Sequence, residues 1–362
     1  MKKRPILFDI KGLEARIKLD SSRLDTVEYH KKFEGAVKQL IKEIVGDKFQ
    51  LKANVTRENT FSISISALPA NGGTKNYQIN FDVGLFRMLY DGLYILLSNN
   101  NTFSGMGISH LKFDIPTLNV PDWNSLDLAM ANNEDVHFSA KRVTLHSFLY
   151  DLCLSFIIRH EIRHIANGHV DYLLSNNNVA LFFENSSNGL NYLDSQTLEM
   201  DVDSCVTAGI LDGLLNNELQ KEQIPDELKG TREIFICVLF CLQFLFFCMP
   251  SVKITHQKNT TKNTHPNSSL RHFFCFTTAI GYLQDNFPEY VDLFVTLNKE
   301  NFWEFIMGLP DANGLDISKI EKDFEWTHSD EGVAYADKVW DNWNNLKPLL
   351  EKYAYLKLAP LN

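Results

Sequence analysis

Arg159-His160-Glu161-Ile162-Arg163-His164 is the stretch whose residue types and spacing can do chemistry. Two histidines four apart on a helix leave the same face one turn apart, so both imidazoles can reach a single metal ion. Glu161 points about 100° further round the axis, close enough to touch a water on that ion without binding the ion itself. With this composition an H-E-x-x-H string arises by chance in about one such sequence in fifty. The motif alone therefore does not decide between a metal site and a helix that carries two buried histidines.

A second stretch decides it. In Leu198-Glu199-Met200-Asp201-Val202-Asp203, Glu199 and Asp203 stand four apart on one helix face. A catalytic zinc takes three protein ligands and leaves the fourth position to water, and two histidines with one glutamate form such a set. Glu199 can complete it, and Asp203 can accept the other ring N–H of a ligating histidine, which fixes its tautomer and raises its basicity. H-E-x-x-H followed by Glu-x-x-x-Asp is the gluzincin arrangement, and the cofactor it predicts is Zn²⁺. The longer pattern H-E-x-x-H-x-x-G-x-x-H is not met. Asn167 and Val170 occupy the places of its glycine and third histidine, with Gly168 and His169 each one position off. His169 reads instead as a cationic residue near a helix C-terminus.

These residues need helices to position them. Thr144 is a plausible N-cap for a central helix running to about Asn167, with Gly168 as its terminator. Leu149, Leu152, Cys153, Phe156 and Ile157 form an apolar stripe that His160 and His164 continue, so both histidines face inward. Residues 175–197 read as an Asn/Ser-rich loop before a second helix over about 198–215. Upstream, residues 26–45 follow the helical period with Gly46 as a stop, and residues 85–97 read as another helix. Between them, alternation over 60–66 and 77–81 around Asn71-Gly72-Gly73 predicts a long-looped hairpin.

The expected fold class is α+β. A small N-terminal α+β domain containing the β-hairpin (1–135) precedes a mainly helical, gluzincin-like metallopeptidase core (136–285) and a helical C-terminal region (286–362). Residues 1–135 carry no recognisable chemistry and read as structural or substrate-recruiting.

The totals narrow the class. Thirty-five basic against 45 acidic residues, with pI ≈ 5.6, argue against a nucleic-acid partner. Six cysteines in 362 residues are not a disulfide framework, and Cys237, Cys241, Cys248 and Cys275 lie in apolar sequence that suits reduced core thiols. Met1-Lys2-Lys3-Arg4 resembles the start of a signal peptide, but Asp9, Lys11, Glu14 and Arg16 interrupt any apolar segment, so a cytoplasmic location is expected. The apolar run 234–249, closed by Pro250, is shorter than the roughly 18–20 residues that span a bilayer, and Gln243 interrupts it. A buried core helix is the preferred reading and an inner-membrane anchor the alternative.

A third piece, Thr264-His265-Pro266 with Arg271 shortly after, completes an order of motifs that resembles the Lit-type phage-exclusion peptidases. More distantly it is similar to the HtpX and CAAX-prenyl endopeptidases. The likeness covers about residues 148–275 and includes Gln243 in the apolar helix. It implies that His160, His164 and Glu199 bind zinc, that Glu161 is the base, and that His265 and Arg271 lie by the cleft. His265 is then the first candidate, and Arg271 the second, for a donor to the oxyanion. The implied activity is endoproteolysis of a protein substrate, the host elongation factor Tu, released by a phage-derived trigger. Two other classes stay open: a membrane-anchored quality-control metallopeptidase, and a regulatory binding module with zinc but no proteolysis. Glu161 speaks against the module, because a structural zinc site closes its fourth position and needs no base.

Overall fold

A computed structural model describes residues 27–57, 63–71, 74–98, 102–103, 109–110, 137–177, 181–183, 191–216, 224–248, 265–308 and 317–360. Helix α1 (Val27–Val45) buries Phe33, Val37, Leu40, Ile41 and Val45, the stripe its period predicts, and ends at Gly46 with φ 62°. Strands β1 (Gln50–Thr56), β2 (Ile63–Asn71) and β3 (Thr74–Asp82) follow. The expected hairpin is β2–β3: Ile63 lies opposite Phe81 and Ile65 opposite Ile79, all buried. The sequence reading missed β1, which pairs parallel to β3. Ala53 is its one buried apolar residue, too weak a pattern to register as a strand.

Helix α2 (Val83–Ser98) leaves β3 directly, and a short ladder joins β4 (Ser109–His110) to β5 (His137–Phe138). The central helix, α3 (Ala140–Ala166), begins one turn before the expected cap. Ser139 caps it, its Oγ accepting from the Arg142 N–H at 3.4 Å, while Thr144 lies just past the first turn and donates to the Ala140 carbonyl at 3.0 Å. Helix α4 (His169–Asn177) follows, then β6 (Leu181–Phe183), a strand where a loop was expected. It pairs antiparallel with β2 and completes a four-stranded sheet of order β1-β3-β2-β6.

Helix α5 (Tyr192–Asn216) starts six residues before the expected 198, capped by Asn191, whose Oδ1 accepts the Asp194 N–H at 2.8 Å. The apolar run forms α6 (Thr231–Gln243) and a π turn, Phe244–Cys248. Every residue from 234 to 246 is buried, with Phe235 edge-on to Phe294. Among the described residues no helix is long and apolar enough to cross a membrane. Helices α7 (Ser268–Asn286), α8 (Val291–Gly308), α9 (Ile317–Thr327) and α10 (Asp330–Leu350) complete a mainly helical α+β chain.

One apolar core joins the inner faces of α1, the sheet, α2, α3, α5 and α6. A second cluster, with Leu198, Leu270, Phe274, Val339 and Trp343, sits where α5, α7 and α10 meet. Each such buried side chain contributes about 1.5–3 kcal/mol, so these two clusters hold α3, α5 and α7 in fixed register. The C-terminal segment closes the far end of α3. The Tyr355 and Leu356 N–H groups donate to the Ala166 carbonyl at 2.8 and 3.3 Å, satisfying an acceptor that a helix end leaves open.

Candidate metal centre

The apolar stripe of α3 delivers both histidines inward, as its spacing predicts, with Phe156 stacked on the His160 ring. Their Nε2 atoms lie 3.0 Å apart. From α5, Glu199 brings Oε2 to 3.4 Å from His160 Nε2 and Oε1 to 3.3 Å from His164 Nε2. One donor atom from each of the three residues lies within 4.8 Å of the others, and all three side chains are buried. Glu199 Oε2 meets no hydrogen-bond geometry despite its burial. Two imidazole nitrogens and a buried carboxylate facing one point are costly as they stand, and they fit a divalent cation.

Packing shifts the two histidines in opposite directions. Burial depresses the His160 imidazole, but the hydrogen bond to Asp203 and the nearby Glu199 carboxylate outweigh it and push the pKa up to about 10. Burial prevails at His164, assisted by its His160 and His169 neighbours against Glu199, and brings it down to about 4. Burial would raise the Glu199 carboxyl, yet the charges of His265 and His164 and the proximity of His160 hold it well below the usual carboxylate range. His164 thus offers a lone pair, while His160 carries a proton that a bound cation replaces.

The supporting residues come from α5 and α7. Asp203 Oδ1 lies 3.0 Å from His160 Nδ1. Arg271 donates to the same carboxylate through Nε at 2.7 Å and Nη2 at 2.9 Å, and its Nη2 stands 3.5 Å from Glu199 Oε2. The guanidinium also lies over the Phe246 ring, 4.9 Å from its centroid, in contact with the apolar helix that carries Gln243. Arg271 is therefore buried against α5. His265 is the more open of the two, its side chain 24% exposed and its Nε2 3.6 Å from Glu199 Oε1. Thr264, ahead of it, lies outside the described residues. Glu161 is buried on α3 beside His160.

The sequence reading missed one group. His169 does not face solvent at a helix end; it opens α4 and is 0% exposed. Its Nδ1 lies 3.1 Å from His164 Nδ1, and its Nε2 lies 3.2 Å from Asp201 Oδ2. Asn167 Nδ2 donates to that same Asp201 oxygen at 2.6 Å. Acidic residues at 199, 201 and 203 amid apolar neighbours were the available signal, because a buried carboxylate requires a partner. Cys153, Cys237, Cys241 and Cys275 are buried, and burial raises the last three well above the ordinary thiol range.

The family model described as Peptidase U49, the Lit-type peptidase family, matches residues 119–279. That span holds His160, Glu161, His164, Glu199, Asp203, His265 and Arg271, and the match supports a peptidase. No curated protein and no solved structure matches the chain.

Proposed function

We propose that the chain is a zinc-dependent endopeptidase of gluzincin type that cuts a protein substrate. The observation that carries the reading is the convergence of His160, His164 and Glu199 within a region matched by a peptidase family. Two imidazoles and one carboxylate form the catalytic zinc set that leaves a position open, and Glu161 next in chain to a ligand is the base such a site requires. When bound, zinc supplies Lewis acidity, polarising the scissile carbonyl and bringing a water's pKa towards about 7.

The protein's own residues do the rest. Glu161 takes the proton from the attacking water as its oxygen bonds to the carbonyl carbon, and returns it to the amine as the C–N bond breaks. His265, the partly exposed group beside Glu199, would donate to the developing oxyanion. Arg271 acts through Asp203, fixing the His160 ring. The Lit-type likeness extends the proposal to cleavage of elongation factor Tu in the cytoplasm, released by a phage-derived signal.

Purified protein is expected to hold about one zinc per chain, and Glu161→Gln to keep the metal while losing cleavage. Terminal-peptide proteomics of cells expressing wild type against Glu161→Gln then names the cut bond. Full cleavage by a metal-free chain overturns the reading.

A further inference from the structure

The two ligand histidines are supported differently. His160 meets a carboxylate directly, since its Nδ1 lies 3.0 Å from Asp203 Oδ1. His164 meets a second imidazole, with its Nδ1 3.1 Å from His169 Nδ1. We propose that His169 and Asp201 form a positioning pair for His164, holding it in the tautomer that directs a bare Nε2 at the metal. The inference rests on the metallopeptidase reading above and adds residues which that reading does not use.

The proton arrangement follows from the atoms. Asp201 Oδ2 stands 3.2 Å from His169 Nε2, outside hydrogen-bond geometry but near enough for a carboxylate, which can only accept, to favour the proton on that nitrogen. A neutral His169 protonated at Nε2 has a lone pair at Nδ1, and the 3.1 Å contact then requires the proton on His164 Nδ1. His164 Nε2 is left bare on the side where His160 Nε2 and Glu199 Oε1 lie, at 3.0 and 3.3 Å. The opposite arrangement would put a proton on the atom that must bind the cation.

The backbone is shaped for this. Gly168 sits at φ 83° between α3 and α4, a left-handed turn that side chains other than hydrogen rarely adopt. The turn brings Asn167 before it and His169 after it to the same Asp201 oxygen, at 2.6 and 3.2 Å. All three side chains are at most 3% exposed, so solvent does not compete for these contacts. Glu199, Asp201 and Asp203 divide the work by position on α5: the first faces the Nε2 atoms of His160 and His164, and the other two face one histidine each.

Three variants and two readouts test the pair. Metal affinity is measured by chelator competition, and the His164 tautomer by histidine ¹⁵N resonances of the metal-free protein, assigned with His164→Gln. Asp201→Asn, nearly isosteric, is expected to weaken zinc binding by about 10–100-fold, and His169→Ala by as much. His169→Asn places Oδ1 where Nδ1 was, so it should recover part of the affinity and keep the Nδ1–H tautomer that His169→Ala loses. A merely structural role predicts equal affinities for His169→Asn and His169→Ala and an unchanged tautomer, and that result overturns the inference. Wild-type protein that takes up no metal would instead sink the metallopeptidase reading, and the tautomer comparison still decides the role of His169.

Discussion

Arg271 grips Asp203 with two parallel hydrogen bonds, Nε to Oδ2 at 2.7 Å and Nη2 to Oδ1 at 2.9 Å. The same Oδ1 faces His160 Nδ1 at 3.0 Å, so the guanidinium fork fixes the carboxylate that orients the His160 ring. Burial would raise the Asp203 carboxyl, but the charge and hydrogen bonds of Arg271 hold it down, which keeps it an acceptor. Arg271→Lys retains the charge and loses the fork. Zinc affinity should fall about tenfold or more, and folding stability by about 1–3 kcal/mol, because one carboxylate oxygen is left poorly paired. Chelator competition and denaturant unfolding read the two effects separately. Wild-type affinity in Arg271→Lys would show that the fork does not position His160.

Gly168 and Gly209 should respond in opposite directions to alanine. At Gly168 φ is 83°, and a Cβ would meet the Tyr353 carbonyl carbon and the Ala354 nitrogen, both at 2.8 Å. Those are backbone atoms next to the Tyr355 N–H that closes the end of α3, so they cannot give way without opening that contact. Gly168→Ala is expected to lose about 2–4 kcal/mol. Gly209, inside α5, has nothing within 4 Å of a built Cβ, and Gly209→Ala should gain about 0.5–1 kcal/mol from helix propensity alone. Denaturant midpoints decide both. A neutral Gly168→Ala would mean that the C-terminal segment does not lie tightly on the helix end.

The buried His160–His164–Glu199 cluster was legible in the sequence because it depends on helical spacing: His160 and His164 are one turn apart, and Glu199 and Asp203 repeat that spacing. The hairpin was legible through alternation, as Ile63, Ile65, Ile79 and Phe81 all face the core. What escaped depends on tertiary contact. Strand β1 pairs parallel to β3 across the intervening β2 segment, and β6 pairs with β2 from more than a hundred residues away, so no local pattern announces either. His169 and Asp201 escaped for a related reason. Each is an ordinary polar residue until the left-handed turn at Gly168 brings α4 back onto α5.

Removing the metal should loosen the fold. The His160–His164–Glu199 cluster is buried, and a ligand that binds only the native state at a hundred times its Kd adds about 2.7 kcal/mol. A chelator is therefore expected to lower the melting temperature by several degrees, with recovery on adding zinc. Glu161→Gln should show the same shift, because Glu161 is not a donor, whereas Glu199→Gln should show little. A chelator shift that survives in Glu199→Gln would place the metal elsewhere.

Acid stability should depend on histidines away from the metal. His146, buried on α3 with its Nε2 2.8 Å from the Tyr90 carbonyl, is pushed down to about 4 by burial. His272, stacked on Phe276, is also brought to about 4, by burial and the nearby His328. In the unfolded chain both titrate near 6.5. A lowered histidine favours the folded state above the unfolded pKa, and that advantage is lost as pH falls from about 6.5 to about 4, where only the unfolded chain takes up the protons. Asp151, raised by burial to about 7, acts in the opposite sense, releasing its proton on unfolding between 3.8 and 7. His146→Phe removes one of the two histidine contributions. Near pH 5 its stability should therefore change less steeply with pH than wild type, by about 1 kcal/mol per pH unit. The slope is read within each protein, so any packing loss at neutral pH cancels. Parallel curves of unfolding free energy against pH for the two proteins would show that His146 is protonated alike in both states.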